Sequence, residues 1–119
     1  MAAHNELGFE GERIAVEFLK NKGYQIRQQN WRFQKAEIDI IAQKDDLIVI
    51  VEVKTRSSSD FGKPQEFVSG QKIKFLMRAA HNYLLSNKID KEIRFDIIAV
   101  IKNSNEVNIE HLTDAFHLF

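Results

Sequence analysis

The stretch EIDIIAQKDDLIVIVEVK, residues 37–54, sets two runs of apolar, largely β-branched residues on either side of the polar break Gln43-Lys44-Asp45-Asp46. Runs of that composition around a short polar break read as two strands joined by a tight turn. With the turn centred between Asp45 and Asp46, Lys44 pairs with Leu47, Asp39 comes opposite Glu52, and Glu37 comes opposite Lys54. Strand side chains alternate between faces, so Glu37, Asp39 and Ile41 are expected to share one face with Ile48, Ile50, Glu52 and Lys54. The second face, Ile38, Ile40, Ala42, Val49, Val51 and Val53, is wholly apolar. Glu37, Asp39, Glu52 and Lys54 thus gather at the open end of an oily hairpin, where uncompensated burial of charge costs several kcal/mol or more.

The chain around this hairpin has 119 residues, enough for one domain with one core. A hydrophobic fraction of 44% beside 29% charged residues is that of an ordinary globular protein. No apolar run approaches the roughly 20 residues of a membrane span, and MAAHNELGFEGER lacks the basic-then-apolar layout of a signal peptide, so the cytoplasm is the expected compartment. The absence of cysteine excludes disulfides, thiolate metal sites and cysteine nucleophiles. His4, His81, His111 and His117 show no zinc-ligand spacing, which leaves oxygen as the only donor for a metal. Seventeen basic and seventeen acidic residues cancel, yet from Lys54 to Arg78 six basic residues face two acidic ones, a local net of +4. Such a patch beside a carboxylate cluster suits a phosphate held next to a cation, or is simply a solvated surface.

Upstream, Asn5 is the expected N-cap of a first helix that Gly23 stops, with Leu7, Ile14, Ala15, Phe18 and Leu19 as its apolar stripe. Glu12 falls on the inward side of that helix, as a salt-bridged border residue or as one reaching the Asp39 and Glu52 cluster. Tyr24 to Trp31 reads as a strand toward a sheet edge, and Arg32 to Lys35 as the connection into the hairpin. Downstream, Thr55 to Gln71 holds three consecutive serines and the only proline and reads as a long loop leaving from the carboxylate end. Ser69 is placed to cap a second helix, with Ile73, Leu76, Met77, Ala80 and Leu84 on its apolar stripe and an end near Asn87. Lys72 and Lys74 sit in its first turn, where free N–H groups favour anions. Ile93 to Ile101 is a further strand whose Arg94 and Asp96 read as an ordinary surface or ion-paired couple, and Glu106 to Leu112 is a last strand. Ala115, Phe116, Leu118 and Phe119 form an apolar tail that either packs on the core or meets a second copy in a homodimer.

Two carboxylates facing each other across a strand pair, with no nitrogen or sulfur donor nearby, suit a hard cation such as Mg2+ or Mn2+. With Lys54 on the same face, the combination suits metal-assisted hydrolysis of a phosphodiester. The competing account is a cross-strand charge network, Glu37 with Lys54 and Glu52 with Arg56, at about 0.2 to 1 kcal/mol per pair.

Asp39 followed by Glu52-Val53-Lys54, in the order helix, three strands, helix, strand, resembles the PD-(D/E)xK core of restriction-endonuclease-like nucleases. GFEGERIAVEFL, NWRFQKAEIDIIA, IVIVEVKTR, FGKP and RFDIIAV more closely resemble the YraN-type family of small uncharacterised bacterial proteins, related in fold to archaeal Holliday junction resolvases. The resemblance implies an α/β fold, a restriction-endonuclease-like mixed β-sheet flanked by α-helices with an αβββαβ core. It also implies Asp39 and Glu52 as ligands of Mg2+ or Mn2+, the Val53 carbonyl as a third, Lys54 as the catalytic lysine, and Glu12 as the helical glutamate of the resolvase-like branch. Ile38 stands where the motif has proline, and Ala36 where the family usually has glycine. The expected activity is a metal-dependent endonuclease on DNA, branched or structured DNA included, with Arg56, Lys63, Lys72 and Lys74 holding phosphates. The alternative is a noncatalytic nucleic-acid-binding or scaffolding module that keeps the fold.

Overall fold

A computed structural model describes residues 2–57 and 68–116, with side chains from residue 6 onward. Helix α1 (Ala2–Asn21) is followed by strands β1 (Gln25–Phe33), β2 (Ala36–Lys44) and β3 (Leu47–Arg56). Helix α2 (Gly70–Ser86), β4 (Glu92–Lys102) and β5 (Val107–Leu112) complete the order. The αβββαβ core expected from the sequence is therefore present, with one further strand at its end.

The strands form one mixed sheet in the order β1-β2-β3-β4-β5. β3 and β4 are parallel and every other pair is antiparallel. Along β3 the side chains alternate: Val49 and Val51 join Ala15, Val16 and Leu19 of α1 in one cluster, while Ile48 and Ile50 join Leu76, Ala79, Ala80 and Tyr83 of α2 in another. That alternation puts the two helices on opposite faces of the sheet. Both faces are covered, which is why β3 reads as an unbroken apolar run.

Local chemistry sets the element ends. Gly23 adopts φ +90°, and a Schellman pair closes α1, with Gly23 N–H donating to the Lys20 carbonyl and Tyr24 N–H to that of Leu19, each at 3.0 Å. At the other end α1 begins at Ala2, so Asn5 lies inside the helix and is not its N-cap. The β2–β3 turn has the expected register, Lys44 with Leu47, and Asp45 takes φ +55° at its corner. Ser69 caps α2 as expected, its hydroxyl accepting from Lys72 N–H at 3.1 Å, and Asn87 ends that helix. β1 is an edge strand that runs on to Phe33, so Arg32 and Phe33 belong to the strand rather than to the connection. Thr55 and Arg56 are likewise the end of β3, not the start of a loop.

The tail turns back onto the chain. Ala115 N–H donates to the Phe95 carbonyl at 2.7 Å, and the Phe116 ring lies 6.1 Å from that of Phe95 on the α2 side. Leu118 and Phe119 lie outside the described residues. No helix among the described residues is long and apolar enough to cross a membrane.

Candidate functional site

β2 and β3 do not stay together to their ends. Their ladder closes at Ile40 with Val51; beyond it β2 continues beside β1, and β3 beside β4. Strict alternation on β2 fails at the same point, because Ile38 and Ile41 both pack on the α2 side while Ile40 packs on the α1 side. The single apolar face expected to hold Ile38 with Ile40 is therefore corrected: β2 turns at Asp39, where it parts from its partner. Asp39 fills the opening, accepting a 2.8 Å hydrogen bond from the Val53 amide in place of a ladder bond. In an extended strand the N–H and C=O of one residue point to the same side, so the Val53 carbonyl faces the fork as its amide does.

Glu12 reaches the fork from α1. Gly11 makes this possible, since a Cβ built there would stand 1.9 Å from the Thr55 hydroxyl oxygen on β3. Only a residue without a side chain lets α1 lie this close. Glu12, Glu37, Asp39, Glu52, Val53, Lys54 and Arg56 then line one open cleft of about 530 Å³. Phe9, 67% exposed, stands at its rim. Asp39 and Glu37 also line a second depression, on the α2 side, with Lys35 and Lys72. The fork is thus open from both faces of the sheet.

Glu52 is buried and accepts two ammonium groups on one oxygen, Lys54 Nζ at 3.1 Å and Lys72 Nζ at 2.5 Å. The anticipated cross-strand pairs, Glu37 with Lys54 and Glu52 with Arg56, do not account for these contacts: Glu37 pairs with Arg32 at 3.0 Å, and Glu52 takes the two lysines. Burial, then the charge of Glu52, pushes the Asp39 carboxyl up to about 8. Burial likewise raises Glu12, helped by Glu37 and Glu52. For Lys72 burial opposes the charged form, but the hydrogen bond and charge of Glu52, with Asp39 beyond, outweigh it and hold the amine above its usual value. The acids crowd one another, and the fork draws positive charge.

Among the described residues no three His, Asp or Glu side chains form a group spaced to hold a metal ion. The fit of a hard cation rests instead on donor chemistry and charge. The candidate ligands at the fork are oxygens, and burial, then the charge of Glu52, keeps Asp39 from ionising; a cation would offset that charge. Asp39, Glu52 and the Val53 carbonyl suit such an ion.

The expected phosphate-binding residues divide. Arg56 lies in the cleft with the acids. Lys72 is engaged with Glu52. Lys74 is exposed and lines a separate depression with Gln71, Phe75 and Arg78. Lys63 lies outside the described residues.

A second buried charge cluster sits away from the fork. Asp96 is fully buried, not on the surface. It accepts from Arg94 at 2.8 and 2.7 Å and from the Asp114 amide at 3.0 Å, and contacts His111 Nε2 at 2.7 Å; Arg94 also donates to the Tyr24 hydroxyl at 2.8 Å. Burial opposes ionisation of Asp96, but the bonds from His111, Arg94 and the Asp114 amide prevail and hold its carboxyl below the usual range. The alternating pattern of β4 could not reveal this, since the partner His111 comes from β5.

A five-stranded mixed sheet between two helices, with carboxylates and lysines meeting where its central hairpin splits, defines an α/β protein with one charged cleft at a strand fork. The model of the uncharacterised protein family UPF0102 matches residues 11–100, and the chain belongs to that family. It is 61% identical to UPF0102 protein FP2501 of Flavobacterium psychrophilum over 119 residues, all of both chains. It is 49% identical to a UPF0102 protein of Bacteroides thetaiotaomicron over 117 residues, 98% of this chain and 97% of the relative. A UPF0102 protein of Alkaliphilus oremlandii is 47% identical over 116 residues, 95% of this chain and 99% of its own.

Proposed function

We propose that this protein is a restriction-endonuclease-like, metal-dependent endonuclease that hydrolyses phosphodiester bonds in DNA, branched or structured DNA included. The observation that carries the reading is the convergence of Glu12, Asp39 and Glu52 with Lys54 on one cleft. Asp39, Glu52 and the Val53 carbonyl would hold Mg2+ or Mn2+. When bound, such an ion supplies Lewis-acid polarisation of a phosphoryl oxygen. Lys54, fixed on β3, donates to a phosphate oxygen as charge builds on it. Glu12, its carboxyl raised by burial and by Glu37 and Glu52, is suited to take the proton of the attacking water. Arg56, Lys72 and Lys74 offer cations to the flanking phosphates, and the exposed ring of Phe9 a face for a base.

The test is incubation of the purified protein with branched, duplex and single-stranded DNA plus Mg2+ or Mn2+, beside Asp39→Ala and Glu52→Ala. Cleavage by the wild type that both variants lose is the expected result. Cleavage that persists in both variants comes from a contaminant and sinks the assignment.

The pairing of Glu52 with Lys72 favours a second reading, a noncatalytic nucleic-acid-binding or scaffolding module that keeps a nuclease fold with its acids already neutralised. That protein would bind DNA with steep salt dependence and cleave nothing under any metal.

A further inference from the structure

Resting on the cation reading above, we propose that Lys72 is a resident counter-ion: its ammonium keeps the place of the divalent cation at the fork, and is released on cation binding to hold a phosphate of the substrate. Two ammonium groups crowd one buried oxygen of Glu52. Lys54 is tied down, two residues along the same strand with a side chain 17% exposed. Lys72 comes from the first turn of α2, across the sheet face, with a side chain 40% exposed. Of the two, Lys72 is the more exposed to solvent. It also faces Asp39, the other acid suited to a cation, across the α2-side depression.

A divalent ion between Asp39 and Glu52 puts two positive charges where Lys72 already puts one. Like charges at that separation repel strongly in a partly buried site. The group that can yield is the flexible four-carbon stem of Lys72, whose backbone is anchored by the Ser69 cap and whose tip is held by the same Glu52 carboxylate that the ion would engage. Once displaced, the ammonium stands at the entrance to the fork on the side that leads along α2 to Lys74 and Arg78. There a polyanion is its natural partner. Lys72 thereby couples the two ligands: a phosphate that takes up the ammonium removes the competitor of the cation, and linkage requires the reverse to hold equally.

The experiment is calorimetric titration of Mn2+ into the wild-type protein, Lys72→Met, Lys72→Arg and Asp39→Asn, each alone and with a phosphorothioate oligonucleotide. Lys72→Met should bind Mn2+ about tenfold more tightly than wild type, and Lys72→Arg about as wild type does. The oligonucleotide should tighten Mn2+ binding in the wild type and not in Lys72→Met. In parallel, amine labelling of the wild type read by mass spectrometry should show Lys72 reacting faster with Mn2+ present and Lys54 unchanged, a readout needing no variant. Equal or weaker Mn2+ binding by Lys72→Met, or Lys72 labelling insensitive to Mn2+, overturns the proposal while wild-type binding lost in Asp39→Asn leaves the cation site standing. Absence of Mn2+ binding from wild type and Lys72→Met alike removes both.

Discussion

The Val53 amide donates to the Asp39 carboxylate at 2.8 Å across the point where β2 leaves β3. This bond favours the ionised acid, yet burial and Glu52 outweigh it and lift Asp39 to about 8. The unfolded chain ionises Asp39 near the ordinary value of about 3.9. Between the two values the folded state binds the extra proton, so the contribution of this group to stability falls as pH rises through that window. Asp39→Asn removes the titration. It should raise Tm more at pH 8.5 than at pH 5, with each ~1 kcal/mol gained moving Tm by about 3 to 6 °C. Thermal melts of both proteins across that range check it, and a constant difference would mean that Asp39 titrates as an ordinary carboxylate.

Glu52→Ala should cost about 1 to 3 kcal/mol in urea unfolding, because it leaves Lys54 and Lys72 without their shared carboxylate. In a double-mutant cycle with Lys72→Met, the two losses should fall short of additive. Strict additivity would show that the Lys72 contact contributes nothing.

Gly11→Ala should destabilise by about 1 to 3 kcal/mol, the usual range for overpacking, because its Cβ would meet Thr55 at 1.9 Å. Thr55→Gly in the same chain should recover most of the loss. Any cleavage by Gly11→Ala should also be slower, since Glu12 moves with the helix. Unfolding curves of the single and double variants decide the matter.

Asp96→Asn should cost about 3 to 5 kcal/mol at pH 7, since it leaves Arg94 and His111 in a buried site without an anion. The folded-state pKa of Asp96 is depressed, so its stabilisation is present above the unfolded value and is lost as pH falls through the folded one. The gap between wild type and variant should therefore close in acid. Denaturant unfolding at pH 7 and at pH 3 measures it.

Periodicity made the hairpin readable, because both of its strands carry apolar residues on both faces and its turn falls between two aspartates. Ser69 and Asn87 were readable as helix ends because their side chains act within one turn of themselves. What alternation could not reveal is the divergence at Asp39, since the pull of β1 on one strand and β4 on the other is not local. The same limit hid the contact of Lys72 with Glu52, made only when α2 docks, and Gly11, whose meaning lies in Thr55 on another element. The pairing of Asp96 with Arg94 was readable from their spacing, but its burial was not, because β5 supplies His111 from elsewhere in the chain. Glu12 was placed on the inward side of its helix, and it does line the cleft.

The parallel pairing of β3 with β4 has a consequence for the making of the protein. Glu12, Glu37, Asp39 and Glu52 all precede α2 in the chain, so a ribosome releases the four acids before it releases Lys72. The α2 crossover must close before Leu47 can lie beside Glu92, and pairing between strands so far apart in sequence is slow. Until then the acids' mutual repulsion is met without Lys72, by cations such as Arg32 on Glu37 and Lys54 on Glu52. A cation captured by the nascent chain would act as a folding aid before it met any substrate.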